Sequence, residues 1–246
     1  MHRNRELDPD ASFVCVVTIA ILCAGAAIFS PQIFQGNWQS FLSLGLPQSS
    51  SIATGDAGNL FKVADPKKDL GVRAICAAEG NCLADGTRTA LSKGHIDPGN
   101  GVFNRGWCSD QGRGRNEAEA DIKCLEYAQK WLEPNKDAIQ HGNEVFINAV
   151  DLANQSSVKT GLADHYARAK LEGRSGVEAI THARVESFRR NGELSAGGLF
   201  KVCSNPRNQF AQRLRGMQPY SEQWRYHCIR QDQERRVKAI NEVLNQ

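Results

Sequence analysis

Residues 74–109 read AICAAEGNCLADGTRTALSKGHIDPGNGVFNRGWCS. Small apolar residues fill the start of this stretch and stop at Glu79 and Gly80, which predicts a short buried helix that ends there. An acid at such a point lies where a buried face opens into a loop. Burial favours the protonated form of a carboxyl group, as a general acid near neutral pH requires. Glu79 is therefore a candidate catalytic acid; the alternative is a carboxylate solvated at a helix end.

The residues after Gly80 are rich in glycine, so the backbone can bend tightly and approach a ligand closely. The run 97–101, Asp-Pro-Gly-Asn-Gly, predicts a turn, because proline presets φ and glycine and asparagine accept left-handed conformations. Amide side chains suit sugar hydroxyls since they both donate and accept hydrogen bonds. We therefore interpret Asn100, Asn104 and Arg105 as candidate glycan-binding residues, with Trp107 either stacking on a sugar ring or filling the core.

His95 and Asp97 form a second candidate pair, in which the carboxylate orients the imidazole. The alternative is that His95 hydrogen-bonds to the backbone and shapes the turn. We expect no metal, because a catalytic zinc needs three protein ligands and the sequence spaces no third one nearby. No nucleotide-binding loop is present in the sequence, and we expect no cofactor.

Glu79-Gly80, a turn with Thr87 and Thr89, and then Gly94-His95 follow one another in an order that resembles phage-type lysozymes. In that family the glutamate ends the first helix, a small β-hairpin carrying an acid and a threonine follows, and helices complete the domain. The resemblance implies a mainly α fold with a small β-hairpin element, an α+β arrangement of the lysozyme-like kind. It also implies that Glu79 is the general acid and that Thr87 and Thr89 lie near the substrate.

The chain departs from the phage pattern in three respects. Its spacing from Glu79 to His95 is shorter, the run 95–100 is an addition, and the hairpin acid has no clear counterpart. Asp85 is the nearest candidate for that acid, and Asp97 is the other. The run His-Ile-Asp-Pro-Gly-Asn more closely resembles membrane-anchored bacterial proteins with an HxDPGN motif and an unassigned function.

The composition is that of a globular protein: 246 residues, 41% hydrophobic and 23% charged. The net charge of +3 is too small to indicate a nucleic-acid partner, but it is compatible with an anionic polymer such as a cell wall. We therefore expect a cell-wall glycan as the ligand and no nucleic acid. The sequence does not identify a protein partner.

The N-terminal region carries the localisation signal. Residues 13–29 contain no charge and follow Arg3 and Arg5, which predicts a single membrane span over 13–30 with 1–12 in the cytoplasm. A cleaved signal peptide, ending near residues 24–26, is the alternative. Acids in the N-terminal flank favour the uncleaved anchor. Residues 31–68 are predicted to be a flexible linker and 69–246 an extracytoplasmic domain, periplasmic in a bacterium.

Six cysteines follow the apolar segment, and an even count in an exported domain predicts disulfides. Pairing by proximity gives three bridges: Cys76–Cys82, Cys108–Cys124 and Cys203–Cys228. Hydrophobic spacing predicts helices over 117–132, 144–155, 162–171, 176–190, 208–217 and 221–244, with strand signals confined to about 83–107.

Three predicted helices carry polar residues of interest. Asn154 and Gln155 end the helix predicted over 144–155 and are predicted to line the wall of a cleft opposite Glu79. Arg184 and Glu186 are expected to form an internal ion pair. The polar face of the last helix, which carries Arg236, is expected to be solvated unless Arg236 is buried against Glu79.

Two functions of different classes fit these features. The first is a cell-wall glycoside hydrolase or lytic enzyme with Glu79 as the acid and Asp85, Asp97 or a threonine-held water completing the reaction. The second is a non-catalytic envelope module that binds glycan or a protein. The Glu-Gly…Gly-His order favours the first, and the missing second acid favours the second. An open groove beside Glu79 would favour the hydrolase. A Glu79 covered by side chains would favour the binding module.

Overall fold

The computed structural model of the protein describes residues 59–156 and 161–246. These residues form α-helices with two short antiparallel hairpins, so the predicted mainly α architecture with a small β element is confirmed. The helices are α1 (Leu70–Glu79), α2 (Glu117–Gln129), α3 (Asn143–Gln155), α4 (Leu162–Leu171), α5 (Gly176–Glu186), α6 (Gly197–Ser204), α7 (Gln209–Arg213) and α8 (Glu222–Leu244). The strands are β1 (His95–Ile96), β2 (Phe103–Asn104), β3 (Arg189–Arg190) and β4 (Glu193–Leu194).

Helix α1 presents Glu79 at its last position. Asp69 caps its start by accepting a hydrogen bond from the backbone N–H of Val72. Gly80 ends it in the left-handed conformation, with φ 80°, and donates its backbone N–H to the carbonyl oxygens of Cys76 and Ala77. Because one face of α1 is buried against α8, Glu79 lies where the core meets a loop, as the sequence predicts.

Helix α8 is the central element of the described domain, since α1, α3, α5, α6 and α7 all pack against it. Its 23 residues bury an apolar stripe that includes Trp224, Ile229 and Ile240. It also buries Gln233 and Arg236, on the face expected to be solvated. These polar groups are tolerated because they meet charged partners on neighbouring helices.

The first hairpin pairs His95 with Asn104 and Ile96 with Phe103. The second hairpin, β3–β4, was not predicted. The sequence indicated a helix to residue 190, but α5 ends at Glu186 and the hairpin follows. The chain reverses at Asn191 and Gly192, with φ 49° and 85°. Asn-Gly is the strongest two-residue hairpin signal, so the turn was readable from the sequence.

Other helix boundaries also differ from the prediction. Helix α2 begins after the cap Asn116, as expected, but ends at Gln129, and a 3-10 helix follows over Glu133–His141. A second 3-10 helix spans Ala90–Lys93. Helix α7 covers only five residues of the ten expected over 208–217.

The N-terminal part of the described chain is packed into the domain. Leu60 and Phe61 are buried, and the Asp69 carboxylate accepts backbone hydrogen bonds from Phe61 and Lys62 at 3.1 and 2.7 Å. Residues 60–68, interpreted as the end of a linker, thus contribute to the core. The predicted anchor at 13–30 lies outside the described residues. Within 59–156 and 161–246, no helix is both long and apolar enough to cross a membrane.

Disulfides connect the three predicted cysteine pairs, Cys76–Cys82, Cys108–Cys124 and Cys203–Cys228. Alkylation of the denatured, unreduced protein followed by peptide mass mapping is expected to leave all six unlabelled. Label on two or more of them would contradict the full pairing.

Replacing Cys203 and Cys228 together by serine should lower the free energy of unfolding by about 2–5 kcal/mol, since a bridge restricts the unfolded chain.

Candidate functional site

A cleft of about 620 Å³ lies beside the end of α1. The turn of the first hairpin, the loop after it, the end of α3, the start of α6 and one face of α8 form its walls. Five residues predicted from the sequence line it together: Glu79, Asp97, Asn100, Asn154 and Gln155.

Glu79 is held by one of its two carboxylate oxygens. Oε1 accepts hydrogen bonds from Nη1 of Arg236 at 3.1 Å and from Nδ2 of Asn154 at 3.2 Å. No residue within the described ranges donates to Oε2. The side chain is 10% exposed. Glu79 is therefore a largely buried carboxyl group on the cleft wall, anchored at one oxygen and with the other available to a ligand.

Arg236 connects Glu79 to a buried network of charges. Its Nη1 also donates to Asp151 at 3.0 Å, and Asp151 accepts from Arg184 on α5 at 2.7 Å. Arg184 and Asp151 are both fully buried. Arg184 thus pairs with Asp151 rather than with Glu186, which pairs with Arg189 at 2.9 Å. The network joins three acidic side chains, Glu79, Asp151 and Asp232, to three arginines, Arg184, Arg235 and Arg236.

The network shifts the titration of its buried members. Burial acts to lower the pKa of Arg236, but the three carboxylates around it raise that pKa well above its usual value. Burial would raise the pKa of Asp232, yet Arg236 and Arg235 outweigh it and hold that pKa below its usual value. Both groups therefore stay charged at neutral pH and give Glu79 a fixed electrostatic environment.

Asp97 lies in the turn of the first hairpin and lines the cleft with Glu79. Its Oδ1 accepts from the backbone N–H of Gly99 at 2.6 Å and of Asn100 at 3.3 Å. No donor to its Oδ2 is found in the part of the chain that the structure describes. Like Glu79, Asp97 is fixed through one oxygen and leaves the other unoccupied.

At one edge of the cleft, the turn of the first hairpin contacts the start of α6. A Cβ atom added to Gly99 would lie 3.2 Å from the carbonyl oxygen of Gly198, closer than most such contacts. The two backbones can approach this closely because neither residue carries a side chain. This contact bounds the cleft on the side of Asp97.

Asp85, Thr87 and Thr89 do not line the cleft. Asp85 is exposed and forms a turn, accepting from the backbone N–H and the hydroxyl of Thr87 at 2.8 and 3.0 Å. The backbone hydrogen bond lowers the pKa of Asp85. Thr89 donates its hydroxyl to the carbonyl of Gly80 and caps the 3-10 helix that follows. Of the two acids proposed as partners of Glu79, Asp97 alone shares the cleft with it.

His95 also lies outside the cleft lining. Its Nδ1 lies 3.0 Å from the carbonyl oxygen of Leu91, so the imidazole bonds to the backbone, the alternative left open by the sequence. Nearby, Asn104 is buried and accepts the backbone N–H of Gln111 at 3.0 Å. The Arg105 guanidinium lies over the ring of Phe103, 4.7 Å from its centre. These residues shape the hairpin and the loop after it.

Trp107 belongs to the core rather than to the cleft. Its side chain is fully buried, and Nε1 donates to the carbonyl oxygen of Asp121 at 3.1 Å. The Trp107 backbone N–H donates to the Asp121 carboxylate at 3.0 Å. Of the two alternatives for this tryptophan, the core position is the one observed.

The loop 108–112 is a cleft wall that the sequence did not single out. Ser109 and Gln111 line the cleft, and both have left-handed backbones, with φ 60° and 54°. Asp110 between them is fully buried and accepts backbone hydrogen bonds from Arg105 at 2.9 Å and Gly114 at 2.6 Å. Non-glycine residues hold such conformations only where their surroundings impose them, often at binding sites. The disulfide at Cys108 fixes the start of the loop.

The site carries acid–base groups and amides rather than a metal centre. No cluster of three or more His, Cys, Asp or Glu side chains suited to a metal occurs in the described ranges. Comparison with protein families, with curated proteins and with solved structures found no match. The chemistry of the cleft therefore rests on its own residues. Three carboxyl groups line it, those of Glu79, Asp97 and Asp232. Both oxygens of Asp232 accept hydrogen bonds from neighbouring side chains, so Glu79 and Asp97 are the two with an oxygen left for a ligand.

Proposed function

We propose that this domain is a membrane-anchored, lysozyme-like glycoside hydrolase of the cell envelope that acts on peptidoglycan. The observation that carries the proposal is that Glu79 and Asp97 line one cleft, each held by one oxygen and free at the other. Most glycoside hydrolases use two carboxyl groups, which flank the glycosidic bond that is cleaved. The predicted anchor would place the domain on the side of the membrane where the wall lies.

In the proposed reaction, Glu79 gives a proton from Oε2 to the glycosidic oxygen as the bond to the anomeric carbon breaks. The positive charge that develops on the sugar is stabilised by the Asp97 carboxylate. Asp97 then either activates a water for direct attack or forms a glycosyl ester that water hydrolyses. A separation of about 5–5.5 Å between the two carboxyls indicates the covalent route, and about 6.5–9.5 Å the direct one.

The test is cleavage by the purified full-length protein in detergent. We expect clearing of a peptidoglycan suspension together with release of reducing ends, because hydrolysis adds one water to each broken linkage. Mass spectrometry separates this outcome from a lytic reaction, whose anhydro products lack that water. NMR identifies the anomer that forms first. Retention of configuration indicates the covalent route through Asp97, and inversion indicates direct attack by water.

A second candidate is a non-catalytic module that binds wall glycan. The observation that favours it is that Arg236, which donates to Glu79 at 3.1 Å, also donates to the buried Asp151 at 3.0 Å. Glu79 is thereby part of a structural network that needs no proton transfer. The assay of reducing ends, together with sedimentation, distinguishes the two candidates. Sedimentation of the protein with peptidoglycan, without any release of reducing ends, would support binding alone.

A further inference from the structure

Positive charge is distributed unevenly over the described domain. Residues 194–221 contain no Asp or Glu but four basic residues, Lys201, Arg207, Arg213 and Arg215. Outside this segment, the described residues carry 23 Lys and Arg side chains and 23 Asp and Glu side chains. The described residues therefore owe their excess of positive charge to this segment alone.

The four basic side chains of the segment are exposed, and none of them forms an ion pair within 59–156 and 161–246. The acids that bound the segment are paired with other arginines. Glu193 accepts a hydrogen bond from Arg225 at 2.8 Å. Glu222 accepts one from Arg189, also at 2.8 Å. The neighbouring acids are thus already engaged, and the four cations are left to act on a partner outside the domain.

The four charges lie close together along a short, folded part of the chain. Helices α6 and α7 pack against each other and on α8, and the disulfide from Cys203 to Cys228 fixes α6 to α8. Successive charges are at most six residues apart, so even an extended chain would separate them by no more than about 20 Å. We call the exposed surface that carries Lys201, Arg207, Arg213 and Arg215 the basic face.

Tyr220 adds an exposed aromatic ring to the same segment. The residue is 52% exposed, and its hydroxyl lies 3.0 Å from the hydroxyl of Ser204 at the end of α6. Its backbone is left-handed, with φ 61°, a conformation that a non-glycine residue holds only where its surroundings impose it. Tyrosine has an apolar ring and a polar tip, and it is enriched where a bilayer meets water.

We propose that the basic face docks on the headgroups of anionic phospholipids. None of its four residues lines the cleft, so they form an outer surface, which suits a charged plane. Each Lys or Arg near such a plane strengthens binding about fivefold. The predicted anchor would hold the domain near a bilayer. The docking goes beyond the proposed hydrolysis and does not depend on it, but it would hold the α6 wall of the cleft at the membrane surface.

The experiment measures backbone amide exchange by mass spectrometry in the full-length protein with lipid nanodiscs. One kind of disc contains phosphatidylcholine alone, and the other contains equal amounts of phosphatidylcholine and phosphatidylglycerol. We expect amides of residues 199–217 to exchange at least about fivefold more slowly with the anionic discs. The difference should vanish in about 1 M NaCl, which screens charges beyond a few ångströms. Equal exchange with the two kinds of disc would overturn the proposal.

Two sets of four substitutions test whether the position of the charges matters. The first set reverses the basic face: Lys201→Glu, Arg207→Glu, Arg213→Glu and Arg215→Glu. The second set, the matched control, reverses four exposed charges on other parts of the domain: Lys62→Glu, Lys67→Glu, Arg168→Glu and Lys170→Glu. Both sets change the net charge equally, so only the first should abolish the difference between the discs. Loss of the difference in both variants, or in neither, would overturn the role of the basic face.

Inorganic polyphosphate tests whether the partner is a bilayer or a soluble polyanion. Added to the protein with phosphatidylcholine discs, it should slow exchange over 199–217 by less than about twofold, because only an anionic bilayer offers both charge and an interface to the Tyr220 ring. Exchange as slow as with the anionic discs would assign the basic face to soluble polyanions and overturn the lipid as its partner.

Discussion

Glu79→Gln is expected to lower the rate of peptidoglycan cleavage by about a hundred- to ten-thousand-fold, the range that a positioned general acid contributes. The glutamine keeps an oxygen for Arg236 and Asn154 and nearly the same volume, but it has no proton to transfer to the leaving group. Binding of glycan should persist, since Oε1 is the atom that is anchored to the protein. Release of reducing ends under initial-rate conditions gives the measurement.

Glu242→Gln provides the control for this prediction. Glu242 is exposed on the same long helix as Arg236 and does not line the cleft, so the variant loses a carboxyl group without touching the site. Its activity should equal that of the wild type. Asp97→Asn should also lose activity, whereas Asp85→Asn should retain it, because Asp85 is outside the cleft. Full activity in Glu79→Gln would reject the assignment of Glu79 as the acid.

Local sequence signals predicted much of the fold because the forces behind them are local. The spacing of apolar residues indicated α2 to α5, α7 and α8, but not the short helix α6. The change from small apolar residues to Gly80 indicated the end of α1. The cysteine pairs also followed from short separations along the chain. The second hairpin was missed although Asn191-Gly192 is a turn signal, because the two-residue strands beside it are too short to show a pattern.

The cleft was predictable only in part, since residues far apart in sequence form it. Glu79 and Asp97 each follow a recognisable local signal, a helix end and a turn. The choice between Asp85 and Asp97, in contrast, depends on how the hairpin packs against α6. Gln111 carries no signal of its own, because it lines the cleft only through the path of the loop 108–112. The sequence does not favour burial of Arg236, because charged helix faces are usually solvated.

The buried charges behind Glu79 have structural consequences that the helix pattern does not show. Arg184 donates to Asp151 at 2.7 Å, to Oδ1 of Asn148 at 3.0 Å and to Gln233 at 2.6 Å. These bonds join α5 to α3 and α8. Desolvating such a group is costly, and burial lowers the pKa of Arg184 in spite of Asp151. The pairing offsets that cost only while every partner is present.

Arg184→Met is therefore expected to lower the free energy of unfolding by about 3–5 kcal/mol, because it leaves buried acceptors without their donor and removes one positive charge from the network. Equilibrium urea unfolding followed by tryptophan fluorescence measures the loss. Arg213→Met, an exposed change of the same kind on α7, should alter stability by less than about 0.5 kcal/mol. Arg184→Lys should fall between the two, since an ammonium restores the charge but not the planar set of donors. A loss below about 1 kcal/mol in Arg184→Met would show that the network does not hold these helices together.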